Sequence, residues 1–150
     1  MDIRKIKETD IEVLANFEKE IAVISFGDTA VTDINFHSKK IMKAMDKERD
    51  GMLVLEENSK LYGWLWMTLQ TNSVTGEKYI NFKSFYMMPH DSDKQYTEHL
   101  MAAGMKFSSD SGAKRIVGRT FVDNLPMRLV YKKFGFKPAC LTMEYNAEPS

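Results

Sequence analysis

Two stretches set the strongest limit on this fold. Residues 61–69 (LYGWLWMTL) and 79–88 (YINFKSFYMM) carry apolar side chains at odd and even positions alike. A strand alternates its side chains between two faces. Strands written this way have no face suited to water, so the sheet they build needs cover on both sides, as in α/β architectures.

The rest of the pattern supplies the cover. Residues 2–6 alternate and predict a short first strand. Thr9-Asp10-Ile11-Glu12 fits a capping box. Ile11, Leu14, Ala15, Glu18, Ile21 and Ala22 then follow helical spacing, with Glu18 the one polar break. A second helix is expected to start near Thr32 or Asp33, with Ile34, His37, Ile41 and Met45 as its stripe. The period changes at Gly51. Residues 52–55 and 61–69, joined by Glu57-Asn58-Ser59-Lys60, predict a β-hairpin, and residues 79–88 a third strand stopped by Pro89. Tyr96, Leu100, Ala103, Gly104 and Phe107 mark a further helix. Residues 115–121 predict a strand, and 125–134 a helix with Gly135 at its C′ position. A last strand is expected over 137–145. The order is β-α-α-β-β-β-α-β-α-β.

A chain of 150 residues with no linker or repeat is expected to form one domain, 1–150, around one core. Lys and Arg together number 21, as do Asp and Glu, so no basic excess argues for a nucleic-acid partner. No apolar run reaches the ~20 residues of a membrane helix. The charged start, MDIRKIKETD, lacks the apolar core of a secretory signal. The single cysteine, Cys140, forms no internal disulfide and fits a reducing, cytoplasmic setting; it is expected to be a small buried hydrophobe. Three scattered histidines and one cysteine make no metal site. His37, on an apolar stripe, is expected to be a core histidine, and His90 and His99 to lie on the surface. Trp64 and Trp66 are expected on one strand face with Tyr62, as core packing; the alternative is a pocket with aromatic walls, which would suit an apolar or cationic amine.

Three segments resemble the GNAT superfamily of acetyltransferases. Asn124-Leu-Pro-Met-Arg-Leu-Val-Tyr131-Lys-Lys-Phe-Gly135-Phe136 is similar to the family's asparagine, helical tyrosine and closing Gly-Phe. Leu61-Tyr62-Gly63-Trp64 resembles its strand with a glycine after a turn. Phe85-Tyr86-Met87-Met88-Pro89 resembles the end of the strand that meets the cofactor. The resemblance, with the element order, covers nearly the whole chain. It implies a mixed, largely antiparallel central sheet flanked by helices on both faces, acetyl-CoA as co-substrate, and a small-molecule or peptide amine as acceptor. Many family members pair through their last strands, so a homodimer is one assembly it implies. The chain departs from the family in the loop after Pro89. Where the family has R/Q-x-x-G-x-G/A, this sequence has Ser92, Gln95 and Thr97.

By the resemblance, residues Ser92, Asp93, Lys94, Gln95, Tyr96 and Thr97 hold the pyrophosphate. Main-chain N–H groups at a helix start suit a phosphate whether or not glycine supplies them. The plain alternative is a helix capped by Ser92 or Asp93. The main chain at Met87 and Met88 would meet the pantetheine arm. Asn124 would contact the same arm, and Tyr131, seven residues on and on the same helix face, would protonate the departing sulfur. Alternatively, Asn124 only caps the helix and Tyr131 only packs. The middle strand has Asn81, Lys83 and Ser84 but no acid, so no general base is named; Glu56 and Glu57 read as solvated turn charges. The rival reading is a non-catalytic GNAT-like module that binds CoA weakly or serves only for interaction.

Overall fold

The structure, a computed structural model, describes residues 1–89 and 95–148. These form two compact units, Met1–Arg119 and Thr120–Ser150. The first holds β1 (Asp2–Lys5), α1 (Ile11–Phe26), α2 (Ile34–Glu48), β2 (Met52–Glu57), β3 (Lys60–Thr71), β4 (Lys78–Met87), α3 (Tyr96–Asp110) and β5 (Arg115–Gly118). The second holds α4 (Leu125–Lys133).

The five strands form one sheet in the order β1-β2-β3-β4-β5. The pairings β1–β2, β2–β3 and β3–β4 are antiparallel; β4–β5 is parallel. The two-faced pattern of β3 is used as expected. Trp64 and Trp66 bury against α1 and α2 in a core with Leu14, Phe17, Ile41 and Val54. Leu65 and Met67, the alternate residues, approach α3 at Gly104, where an added Cβ would lie 2.6 Å from Leu65 Cδ2. Helices therefore cover both faces. Gly63 is small for a related reason: a Cβ there would come 2.7 Å from Met87 Cε and 3.1 Å from Leu100 Cδ2.

Two bulges depart from the alternating pattern. The β2–β3 register passes from Leu55↔Gly63 to Glu56↔Leu61, leaving Tyr62 as the extra residue. An extra residue shifts the side chains beyond it by one face. Tyr62 therefore does not share the face of Trp64 and Trp66; its ring lies 5.4 Å from Tyr96 of α3. On β4 the register passes from Trp66↔Ser84 to Met67↔Phe82, and Lys83 is extra.

The box at Thr9 does not form. A short 3₁₀ turn, Glu8–Asp10, precedes α1, whose N-cap is Asp10 with no side-chain cap hydrogen bond. The Asp10 carboxylate is engaged elsewhere. It accepts from Arg4 Nη1 at 2.8 Å and Nη2 at 3.0 Å, and from the Lys7 N–H at 2.7 Å. Burial alone would raise Asp10, but Arg4 and Lys7 together hold it below the usual carboxylate range. Arg4 also donates to Glu56 Oε2 at 2.9 Å. Glu56 is thus an ion-pair partner rather than a solvated turn charge.

The last expected strand is absent: residues 137–145 carry no helix or strand. A strand's N–H and C=O groups need a second strand, and among the described residues the unit Thr120–Ser150 contains none. Cys140 is exposed rather than buried.

Candidate active site

The β4–β5 pair opens partway along. Pairing runs from Tyr79↔Arg115 to Phe82↔Gly118 and stops there. From Lys83 to Met87, β4 keeps β3 on one side and has no strand on the other among the described residues. The opening falls at the Lys83 bulge. An unpaired extra residue bends its strand and increases local twist, which turns β4 away from β5 where pairing ends. The result is a row of main-chain groups along one edge of β4 with no strand to satisfy them.

Met87 sits at the end of that edge, paired to Gly63 on its other side. The Met88 N–H is already committed, donating to the Tyr62 carbonyl at 2.8 Å. Both methionines are half-buried. Beside them lies an open cleft of about 540 Å³ with Arg4, Lys7, Phe17, Lys60 and Met88 in its walls.

Of the residues predicted for the pyrophosphate, Ser92, Asp93 and Lys94 lie outside the described residues, as does His90. Gln95 is the N-cap of α3, in the left-handed region at φ 54°, and gives the helix no side-chain cap. The first-turn N–H groups of α3, with Tyr96 and Thr97 among them, are therefore not capped by Gln95. Tyr96 is a buried core residue against Tyr62, and Thr97 is half-buried. His99 is exposed. His37 is buried, its Nε2 donating to the Val31 carbonyl at 2.7 Å while Nδ1 has no partner.

In the second unit, Asn124 caps α4: its Oδ1 accepts from the Met127 N–H at 3.3 Å. That leaves its amide NH₂, two further donors. Tyr131 is buried, and burial pushes its phenol up to about 12. It holds its proton throughout the neutral range. α4 ends in a Schellman motif. The Phe136 N–H donates to the Tyr131 carbonyl at 3.0 Å and the Gly135 N–H to the Lys132 carbonyl at 3.1 Å. Gly135 stands at φ 87°, where only glycine is unstrained. The turn brings the Phe136 ring to 4.9 Å from the Tyr131 ring. Spacing alone explains the motif: glycine makes the turn, and the turn sets phenylalanine on tyrosine.

The sequence named no acid on the central strand, and the structure brings one there from α1. Glu18, only 4% exposed, accepts from Ser84 Oγ at 2.7 Å and Trp64 Nε1 at 3.3 Å. Its signal was the polar break in the α1 stripe. Among the described residues no group of three or more His, Cys, Asp or Glu side chains is placed to hold a metal, and no helix is long and apolar enough to cross a membrane.

Among the described residues, then, the sheet is mostly antiparallel and opens at its parallel pair, with helices over both faces. The chain belongs to the acetyltransferase (GNAT) family, which it matches over residues 13–136. Solved structures share the fold at low sequence identity. A mutant BH1408 protein of Bacillus halodurans superposes with a TM-score of 0.86 at 16% identity, over 99% of this chain and 100% of that one. The aminoglycoside 6'-N-acetyltransferase AAC(6')-IG of Acinetobacter haemolyticus gives 0.73 at 11% identity, over 100% of both chains. The aminoglycoside N-acetyltransferase AAC(6')-Iy, in complex with CoA, gives 0.69 at 16% identity, over 99% and 100%. No curated protein matches the chain in sequence.

Proposed function

We propose that this chain acts as one catalytic domain that transfers the acetyl group of acetyl-CoA to a primary amine by direct attack. The observation that carries the reading is the open edge of β4 from Lys83 to Met87. An extended amide-bearing arm suits such an edge, because it can answer unpaired main-chain groups as a short strand would. Gln95 gives α3 no side-chain cap, and N–H groups at a helix start carry partial positive charge, which supports a phosphate position there.

In this mechanism the β4 edge orients the thioester and the α3 amides, with Thr97, hold the pyrophosphate. The Asn124 NH₂ group contacts the arm. The Tyr131 phenol keeps its proton until the carbon–sulfur bond breaks, then gives it from Oη to the thiolate as general acid, while the nitrogen of the new amide loses its surplus proton to water, from which the phenolate is re-protonated. The acceptor class includes amino sugars such as the two named relatives act on, polyamines and peptide amines. The exposed thiol of Cys140 suits a reducing, cytoplasmic compartment.

The test is release of CoA thiol from acetyl-CoA against a panel of amines. We expect release with at least one amine, and Tyr131→Phe to keep CoA binding while lowering turnover well over tenfold. Unchanged turnover in Tyr131→Phe removes the phenol from the mechanism. The second reading, a non-catalytic module, is favoured by one observation: Ser92, Gln95 and Thr97 replace the family's arginine or glutamine and two glycines. Absence of calorimetric binding at millimolar acetyl-CoA would decide for it.

A further inference from the structure

Between α1, α2 and the sheet lies a carboxylate that an apolar core does not require. Glu18 is almost wholly buried, and a buried carboxylate is costly unless its surroundings compensate it. The compensation is lopsided. Oε2 receives both hydrogen bonds, from Ser84 Oγ and Trp64 Nε1. Oε1 has a different neighbour, the Lys40 ammonium at 3.8 Å. That distance is beyond a hydrogen bond, and the Lys40 side chain is 43% exposed. The same ammonium stands 5.6 Å from the centre of the Trp66 ring, and that of Lys83 stands 4.0 Å from it. A carboxylate oxygen and an indole face, side by side, are already holding alkylammonium groups. Both attract such groups, one by charge and the other by its ring quadrupole.

The location gives this chemistry a use. Ser84 lies within the open segment of β4, three residues before Met87, so the carboxylate stands about 10 Å along the strand from Met87, at ~3.3 Å per residue. We propose that Glu18, with Trp64 and Trp66, is the subsite for a primary ammonium group of the acceptor other than the amine that is acetylated, and that it enters by displacing Lys40. This rests on the acetyl-transfer reading for its role. Exchange of one ammonium for another leaves Glu18 paired throughout, so no buried charge is exposed in the swap. Lys40 leaves readily because a long, partly exposed ion pair contributes little. The ligand must carry N–H donors for Oε1, which a primary alkylammonium has and a quaternary ammonium lacks.

The test follows the Trp64 indole N–H signal by NMR while the full chain is titrated with n-butylammonium chloride and, separately, tetramethylammonium chloride. We expect a saturable shift with n-butylammonium and none with tetramethylammonium. Lys40→Met should lower the half-saturating concentration at least threefold, because the internal competitor is gone. Glu18→Gln, which keeps an acceptor for Ser84 and Trp64, should abolish the shift. No shift in the parent chain, or an unchanged half-saturation in Lys40→Met, overturns the subsite. The two readings fail separately. A saturable shift in a chain that acetylates no amine leaves the ammonium site standing and removes the acetyl-transfer reading. Acetyl transfer with an amine KM unmoved by Lys40→Met and Glu18→Gln removes the subsite alone.

Discussion

Replacing Gly135 with alanine separates the backbone role of the Gly135-Phe136 pair from any chemistry at Tyr131. A Cβ built at Gly135 meets nothing within 4 Å, so no neighbour resists the new methyl group. What remains is backbone conformation. At φ 87° an L-residue pays about 1–2 kcal/mol. Alanine also restricts the unfolded chain, which returns up to about 1 kcal/mol. The net loss is therefore about 1 kcal/mol, or a factor of about 5 in an opening equilibrium. Native-state hydrogen exchange reads this locally. The Phe136 amide, bonded to the Tyr131 carbonyl, and the Gly135 amide, bonded to Lys132, should exchange about fivefold faster in Gly135→Ala. Gly135→Asn should fall between parent and alanine, because asparagine tolerates the left-handed region better. Tyr131→Phe keeps a ring under Phe136 and should leave these amides unchanged while turnover drops. Equal exchange in parent and Gly135→Ala would refute the argument from φ, and a loss beyond ~3 kcal/mol would mean a steric contact that the geometry does not contain.

Two further outcomes follow from the titrating groups. Tyr131 should ionise near pH 12, about two units above an ordinary phenol, so ultraviolet titration of Tyr131→Phe should lose amplitude only in the last part of the parent's curve. Because that pKa is raised on folding, its contribution to stability is complete below about pH 10 and is lost as pH climbs toward 12. Asp10 has the opposite sign. Arg4 and Lys7 lower its pKa on folding, so its contribution is present above about pH 4 and lost as pH falls further. Asp10→Asn should cost about 1–3 kcal/mol near neutral pH, and urea-unfolding curves of parent and variant should converge below about pH 4.

The elements that were legible in the sequence are those governed by local rules. The two-faced runs became β3 and β4 because nothing but a sandwiched sheet satisfies both faces. Asn58 and Ser59, both at positive φ, make the tight hairpin turn that Glu57-Asn58-Ser59-Lys60 signalled. Asp33 caps α2, and Gly135 closes α4. The failures share one cause, a contact or register that periodicity does not display. Asp10 rather than Thr9 stands at the N-cap of α1, with its carboxylate on Arg4. The segment 137–145 has a strand's alternation, and alternation supplies no second strand. Tyr62 left its expected face because an inserted residue changes the parity of a strand, and parity is invisible until the register is known.

The opening of β4 and the acid beneath it depend on that same register. Lys83, Ser84 and Glu18 are ordinary residues taken singly: a polar residue in a strand, another beside it, and a flaw in a helical stripe. The bulge at Lys83 joins their roles. It ends the match to β5 at Phe82, which exposes the edge of β4, and it leaves Ser84 opposite Trp66. From that position Ser84 Oγ reaches the carboxylate that also binds the Trp64 indole. If Lys83 were an ordinary paired residue, Ser84 would turn to the α3 face and Glu18 would lose its shortest hydrogen bond. A single inserted residue therefore opens the strand on one edge and fixes a carboxylate against its face, so the acid absent from the strand's own sequence reaches it from a helix 66 residues away in the chain.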